Sequence, residues 1–210
     1  MPLFYQQNIN EHTRLGVWKI EEEESFFLQQ VAPKRDITHP AKRLQHLAGR
    51  YLLPYLFPGF PHAEIEIADT RKPFLRNEQY HFSISHCGTY AAAIASSRQR
   101  VGVDIELVTP RVDRIKHKFL HTEELAFVNS QPASSSIALL TLLWSAKETM
   151  FKWWSLGDVD FSDMLRLEPF VPAQSGIIDA LFVRSGRKIP VQLSYIMYPH
   201  MSLCWMVSGG

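Results

Sequence analysis

The sequence predicts an α+β fold, and three features favour it over a doubly wound parallel sheet. Short segments such as EIEIAD (64–69) and VGVDIELV (101–108) alternate apolar and polar residues, as half-buried strands do. Between such segments lie stretches with apolar residues at helical spacing, the longest being ALLTLLWSAKETMFKWW (138–154). Finally, these elements do not repeat as β-α-β units. The chain of 210 residues suits one large domain or two units of roughly 100 residues each.

The N-terminal part contains two predicted helices. LGVWKI (15–20) reads as the first strand, and FFLQQV after the acidic run EEEE begins like a helix, with carboxylates near its positive end. AKRLQHLAGRYLLPYL (41–56) has the i, i+3, i+4 spacing of one amphipathic helix that ends near Pro54. Its polar face carries Lys42, Arg43, His46 and Arg50.

The remaining elements follow in order. YHFSIS and YAAAIASS predict strands, and the segment TPRVDRIKHKFLHTEELAFV predicts a loop with two short helices. SQPASSS (130–136) is typical of a surface loop, and the 138–154 helix closes at residues 155–157. The C-terminal segments LFVRSG, KIPVQLSYIMY and SLCWMVSG predict antiparallel strands and hairpins.

Charge and cysteine content restrict the function classes. The formal net charge is +1, from 22 basic and 21 acidic residues, which gives no electrostatic footprint for nucleic acid or a membrane surface. Two cysteines are too few for a disulfide framework, and no apolar run approaches the ~18 residues of a membrane helix. The N-terminus lacks the pattern of a signal peptide. We therefore expect a cytoplasmic protein.

The stretch HFSISHCGTY (81–90) raises the question of a nucleophilic active site, because Ser85, His86 and Cys87 are consecutive. On a strand, neighbouring side chains point to opposite faces, so Ser85 cannot easily pass its proton to His86. The G-x-S-x-G pattern of a strained nucleophile turn is also absent. The alternative is a polar strand end that runs into a turn at Gly88.

Two pairs of charged residues are the strongest candidates for chemistry. In GVDIEL, Asp104 and Glu106 lie at i and i+2, so a strand places both carboxylates on one face, roughly 6 to 7 Å apart at the backbone. In WSAKETMFK, Glu148 and Lys152 are one helical turn apart, on a stripe with Trp144. Each pair alone is more commonly a solvated strand edge or a surface salt bridge than a functional site. We expect these groups to lie outside the core.

Together, three carboxylates and a lysine are what a Mg²⁺-dependent transfer of a phosphate group requires. Mg²⁺ prefers oxygen ligands and completes its shell with water and phosphate, while lysine offsets charge that develops on the phosphate oxygens. The basic residues of the 41–56 helix, with Lys72 and His86, could hold further phosphates.

Four motifs in order resemble the 4'-phosphopantetheinyl transferase superfamily, in its longer, pseudo-dimeric class that includes the surfactin-synthetase-priming enzyme. The family's G-(V/I)-D-(I/V)-E strand corresponds to residues 102–106, and its W-x-x-K-E-x-x-x-K helix to residues 144–152. Its G-K-P and F-(N/S)-x-S-H-x-G elements correspond to residues 71–73 and 82–88. Arg71 replaces the usual glycine, and the G-x-G-L turn that often follows the helix is absent.

The resemblance implies transfer of the 4'-phosphopantetheine arm from coenzyme A to a serine of an acyl or peptidyl carrier protein, with release of adenosine 3',5'-bisphosphate. It implies that Asp104, Glu106 and Glu148 hold Mg²⁺, with Asp104 and Glu148 in catalytic roles and Glu148 as candidate base. It implies that Lys152 binds the α-phosphate. It assigns coenzyme A contacts to Arg43, Arg50, Lys72, Ser85 and His86, and carries Lys147 over more loosely.

The resemblance also implies two similar α+β halves, 1–100 and 101–210, related by pseudo-twofold symmetry with the active site in the cleft between them. The first half would supply coenzyme A contacts and the second the metal and catalytic residues, so we expect a monomer. Two alternatives remain: a Mg²⁺-dependent phosphohydrolase or nuclease, and a non-catalytic protein of the same fold that binds carrier proteins.

Overall fold

The structure is a computed structural model that describes residues 2–33 and 37–208. Its helices are α1 (Glu24–Leu28), α2 (Pro40–Leu56), α3 (Arg111–Ile115), α4 (Thr122–Asn129) and α5 (Ser136–Trp154). Its strands are β1 (Leu3–Asn10), β2 (Thr13–Lys19), β3 (Glu66–Ile67), β4 (Pro73–Phe74), β5 (His81–Cys87), β6 (Tyr90–Ser96), β7 (Val101–Leu107), β8 (Leu165–Leu167), β9 (Ser175–Arg184), β10 (Arg187–Tyr198) and β11 (Met201–Val207). The predicted α+β class is confirmed.

The N-terminal part is a four-stranded antiparallel sheet in the order β1-β2-β6-β5 with α2 across one face. The apolar side of α2, including Leu47 and Leu52, packs against the alanines at alternate positions of β6. β1 was missed, since the prediction made LGVWKI the first strand. Its sequence LFYQQNIN is half polar because every second residue is exposed, and those glutamines and asparagines resemble a loop.

The C-terminal part is a five-stranded antiparallel sheet in the order β7-β11-β10-β9-β8. The 19-residue helix α5 lies against β7 and β11, and its apolar residues share one core with Phe182, Leu193 and Tyr195 of the neighbouring strands. The predicted two short helices before α5 and the C-terminal hairpins are confirmed. Within the described part of the chain, no helix is both long and apolar enough to cross a membrane.

A third core joins the two sheets. Ala92 and Ile94 of β6 point away from α2 and pack with Val103 and Ile105 of β7 and with Leu203 of β11. The strands at one edge of each sheet, β5 and β7, therefore run side by side. The domain boundary at residue 100 and the pseudo-twofold relation between the halves stay predictions.

Three boundaries differ from the sequence prediction. The helix that was expected to end near Pro54 continues to Leu56, because its apolar face still packs on the sheet and offsets the lost hydrogen bond and the steric strain of the proline. The strand expected over 64–69 shrinks to two residues, Glu66–Ile67. The loop expected over 130–136 contains a short 3₁₀ turn at Ala133–Ser135 and runs into α5 at Ser136.

Gly102 determines how closely α5 approaches β7. A Cβ at this position would lie 2.3 Å from the carbonyl oxygen of Thr149 and 3.0 Å from Cβ of Trp153. Because both atoms belong to or adjoin the helix backbone, a side chain would push the helix off the strand. The glycine of the G-V-D-I-E motif is thus needed to bring Glu148 and Lys152 beside Asp104.

We predict that Gly102→Ala lowers the free energy of unfolding by about 3 kcal/mol, because close-packed backbone must separate. The control is Gly16→Ala, whose added Cβ meets only the side-chain tips of Leu56 at 3.1 Å and Leu52 at 3.2 Å, so we expect a loss of about 1 kcal/mol or less. Urea unfolding of both variants measures the difference. Equal losses would contradict a specific contact between α5 and β7.

Candidate active site

The site lies where β5 and β7 run side by side. Phe82 and Ile84 of β5 pack toward α2, while Ser83 and Ser85 point toward β7. The Oγ of Ser83 accepts a hydrogen bond from the backbone N–H of Val103 at 3.2 Å, so side chains rather than a strand ladder join the two edges. The alternation also puts Ser85 and His86 on opposite faces, as the sequence predicts, and no serine–histidine pair forms there.

Asp104 is the centre of the site, and it is buried. Only 1% of the residue is exposed, so the expectation that this carboxylate lies outside the core is wrong. The sequence could not show this, because Asp104 is covered by Ser85 of β5 and by α5, which lie far along the chain. Its Oδ1 accepts hydrogen bonds from Ser85 Oγ at 2.8 Å and from Lys152 Nζ at 2.5 Å. Its Oδ2 is buried without a hydrogen-bond partner among the described residues.

Two further carboxylates flank Asp104. Loss of hydration and the charge of Asp104 raise the pKa of Glu106 to about 7 and that of Glu148 to about 7. Glu106 Oε1 also accepts a hydrogen bond from Trp144 Nε1 at 3.2 Å, which fixes its position beside α5. Glu106 and Glu148 therefore lie close enough to Asp104 to be affected by its charge, while their assignment as metal ligands stays a prediction. Trp144 is a partner of Glu106 that the sequence did not indicate.

Lys152 faces these acids from the last turn of α5. Its ammonium donates to Asp104 Oδ1 and, at 2.8 Å, to Ser85 Oγ. The helical spacing of Glu148 and Lys152 brings both side chains to β7, where the lysine pairs with Asp104 instead of forming a surface salt bridge with Glu148.

His86 lies at the rim of this cleft. The residue is exposed, while the surrounding protein and the nearby Lys152 lower the pKa of its imidazole. At neutral pH the ring is therefore mostly uncharged, and it can donate a hydrogen bond from one nitrogen only.

The other predicted basic residues are already engaged by the protein. Arg43 donates from Nε to Glu24 Oε1 at 2.7 Å, which ties α2 to α1. Arg50 is only 3% exposed, and its Nε donates to His46 Nε2 at 2.8 Å. Neither contact brings these guanidiniums into the Asp104 cluster, and their assignment to a phosphate stays a prediction.

Lys72 lies at the far end of α5. Its ammonium donates to the carbonyl oxygen of Lys152 at 2.5 Å, and burial, followed by the charge of Arg100, lowers its pKa to about 8. Thr70 Oγ1 also donates to the carbonyl oxygen of Ser155 at 3.3 Å. The loop before β4 thus binds carbonyl groups at the C-terminus of α5, which the helix itself leaves unpaired.

Arg71 occupies the position where the resemblance expects glycine. Its φ angle is 65°, in the left-handed region that glycine adopts at little cost. The turn is therefore kept with an arginine in it, at an expense of roughly 1 kcal/mol.

Lys147, which the resemblance carried over loosely, is outside the cleft. Its side chain is fully buried, and Nζ donates to Glu124 Oε2 at 2.6 Å and to the carbonyl oxygens of Phe119 at 2.7 Å and Phe161 at 2.8 Å. All three protons of the ammonium are used in these contacts. Lys147 therefore anchors α5 to the segments before α4 and before β8. Its partner Glu124 was not recognised in the sequence.

The site fits a divalent cation in donor type and charge. Within residues 2–33 and 37–208, no three histidine, cysteine, aspartate or glutamate side chains are arranged as a metal-binding group, and Lys152 contacts Asp104 Oδ1. However, the cleft has too little positive charge for its three carboxyl groups. One buried oxygen of Asp104 is unpaired among the described residues, and the pKa values of both glutamates are raised. A hard cation such as Mg²⁺ supplies that charge and takes oxygen ligands.

Fold and site together define an α+β protein with an acidic cleft between two antiparallel sheets. Residues 100–193 match the family model described as the 4'-phosphopantetheinyl transferase superfamily. This match covers the C-terminal part of the chain and confirms the resemblance inferred from its motifs. The matched region contains Asp104, Glu106, Glu148 and Lys152, but not the predicted coenzyme A contacts of the N-terminal part.

Several curated relatives are similar to the chain. Enterobactin synthase component D of Salmonella austin is 34% identical over 140 residues, which cover 63% of this chain and 53% of the relative. Its counterpart in Escherichia coli K12 is 36% identical over 126 residues, covering 53% and 54%. The 4'-phosphopantetheinyl transferase gsp of Aneurinibacillus migulanus is 32% identical over 81 residues, covering 39% and 33%. The chain spans about half the length of the enterobactin synthase components that it matches.

We predict that Lys147→Met lowers the free energy of unfolding by roughly 3 to 5 kcal/mol, because it leaves Glu124 buried without its cation. The matched control is Lys116→Met, which breaks the half-exposed pair with Asp113 and should cost less than about 1 kcal/mol. Thermal and urea unfolding compare the two. A Lys147→Met protein as stable as the wild type would show that the buried pair does not hold α5.

We also predict a pH-dependent gain in stability for Glu148→Gln in EDTA. The pKa of Glu148 is raised from 4.5 to about 7 by folding, so the folded state keeps a proton that the unfolded state loses. Stability from this group is present below pH 4.5 and is lost as pH rises to about 7. Relative to wild type, the glutamine variant should gain on the order of 2 kcal/mol between pH 5 and pH 8.

The exposed Glu168→Gln variant controls for the loss of one carboxylate. Urea unfolding at both pH values supplies the measurement. A Glu148→Gln difference that is independent of pH would mean that the carboxylates do not share a desolvated cleft.

Proposed function

We propose that the protein transfers the 4'-phosphopantetheine group of coenzyme A to a serine of an acyl or peptidyl carrier protein and releases adenosine 3',5'-bisphosphate. The observation that carries the proposal is the cluster of Asp104, Glu106, Glu148 and Lys152 in the cleft between the two sheets, inside the region that matches the superfamily. The relative from A. migulanus is named a 4'-phosphopantetheinyl transferase, which supports the same reaction class.

Asp104, Glu106 and Glu148 would hold Mg²⁺. The bound ion would neutralise charge on the pyrophosphate of coenzyme A. The carboxylate of Glu148 is also the candidate base for the carrier serine, because it lies beside Asp104 and Lys152 in the cleft. The β-phosphorus–oxygen bond to the adenosine bisphosphate breaks as the serine oxygen attacks, and the departing phosphate takes the electron pair.

Lys152 would stabilise the charge that develops on the phosphate oxygens and on the leaving group. Its ammonium is the basic group that contacts Asp104 directly, and it is held by two hydrogen bonds before any substrate arrives. Such preorganisation avoids the cost of reorienting a charge during the reaction.

The coenzyme A contacts proposed for the N-terminal part are His86, Lys72, Arg43 and Arg50. His86 is exposed at the rim and near Lys152, which favours a role in binding phosphate. Lys72, Arg43 and Arg50 would have to add a phosphate to the contacts that they already make. Since one chain supplies both walls of the cleft, we propose a monomer, acting in the cytoplasm.

We predict that the protein adds one phosphopantetheine to a suitable apo carrier protein in the presence of coenzyme A and Mg²⁺, and that EDTA abolishes the reaction. Glu148→Gln and Lys152→Met should each lower the rate by about 100-fold or more, because they remove the base and the charge that stabilises the transition state. Glu168→Gln, at an exposed position directly after β8, should react like the wild type. Intact-protein mass spectrometry of a panel of carriers measures the transfer.

Other outcomes separate the alternatives. Hydrolysis of coenzyme A or nucleic acid without any carrier would favour a Mg²⁺-dependent phosphohydrolase. Binding of coenzyme A with no mass gain on any carrier would favour a non-catalytic protein that binds carriers. Wild-type rates for Glu148→Gln and Lys152→Met would refute the assignment of the cleft.

A further inference from the structure

Ser85 lies between the two charged groups at the centre of the site. The residue is 6% exposed, and its Oγ is 2.8 Å from both Asp104 Oδ1 and Lys152 Nζ. The ammonium can only donate, so Oγ accepts from Lys152 and its own proton is directed to Asp104. Ser85 therefore forms one link of a hydrogen-bonded triangle with Asp104 and Lys152.

This triangle fixes which oxygen of Asp104 remains available. Oδ1 receives both hydrogen bonds, so the carboxylate cannot rotate freely about its Cβ–Cγ bond without losing one of them. Oδ2 is left buried without a partner in the described part of the chain. A buried carboxylate oxygen costs free energy unless it is paired, so its orientation has to be maintained by the bonds to Oδ1.

We propose that Ser85 is a positioning residue that orients the Asp104 carboxylate and thereby presents Oδ2 as a metal ligand. The inference rests on the function proposed above, since it concerns the same site. The resemblance instead gives Ser85 a direct contact with a phosphate of coenzyme A. To donate to a phosphate, however, the hydroxyl would have to give up Asp104, because it has a single proton.

Ser83 provides a matched comparison on the same face of the same strand. It is 3% exposed and also bonds to β7, but its partner is the backbone N–H of Val103. Loss of the Ser83 hydroxyl leaves a buried N–H unpaired and removes a link between the sheets, with no direct effect on Asp104. The two serines are thus both buried, lie on the same strand and face β7, but they have different hydrogen-bond partners.

The test compares Ser85→Ala and Ser83→Ala in two measurements. Titration calorimetry with Mg²⁺ alone, without coenzyme A, should show that Ser85→Ala raises the dissociation constant for Mg²⁺ about 10-fold, as removal of a ligand-orienting partner does. Ser83→Ala should keep the wild-type affinity and unfold at a lower temperature. In the transfer assay at saturating Mg²⁺, Ser85→Ala should lower kcat and leave the KM for coenzyme A within two-fold.

Ser85→Cys, which nearly conserves volume and weakens both hydrogen bonds, repeats the measurements if the alanine variant does not fold. If the wild type binds Mg²⁺ and transfers the group, but Ser85→Ala binds Mg²⁺ with the same affinity, the positioning role alone is overturned. A raised KM for coenzyme A with unchanged kcat and Mg²⁺ affinity would do the same and return Ser85 to a phosphate contact. A wild type that neither binds Mg²⁺ nor transfers would overturn the proposed function together with this inference.

Discussion

The buried carboxylate of Asp104 is the constraint on which the arrangement of the site depends. A charge that is 1% exposed needs polar partners, and Asp104 obtains them from β5 through Ser85 and from α5 through Lys152. These contacts hold together three elements that are far apart in the sequence. Because the two hydrogen bonds go to one oxygen, the same arrangement that pairs the charge also leaves an oxygen for a cation.

The elements around the site could largely be predicted from sequence patterns. Alternation identified β5, β6 and β7, and helical spacing identified α2 and α5, because each of these elements is buried on one or both faces. β1 escaped detection because its inward-facing residues are only half-buried and include Gln7, while Phe4 lies on the exposed face, so the alternation is broken. Sequence patterns therefore identify an element best where its buried positions are apolar and its exposed positions are polar.

The partners within the site could not be predicted in the same way. Lys147 and Lys152 are five positions apart in one motif, yet one is an anchor in the core and the other faces the cleft. Because of their spacing on the helix, the two side chains point in different directions. The segments that pack on each side of the helix determine which groups each side chain contacts. For Lys147 these are the carbonyls of Phe119 and Phe161, and for Lys152 they are Asp104 and Ser85.

The C-terminus of α5 shows how the N-terminal part of the chain controls the position of Lys152. Lys72 donates to the carbonyl oxygen of Lys152 itself, and Thr70 donates to that of Ser155, so the loop before β4 holds the last turn of the helix. Gly102 meanwhile lets the preceding turn lie directly on β7. Since the ammonium of Lys152 reaches Asp104 only if this turn is in place, contacts from the loop before β4 and from β7 determine the distance between the two charges. The cleft needs both parts of the chain, because the C-terminal part supplies the acids and Lys152, while the N-terminal part supplies Ser85, Lys72 and Thr70, which hold Lys152 and the last turn of α5.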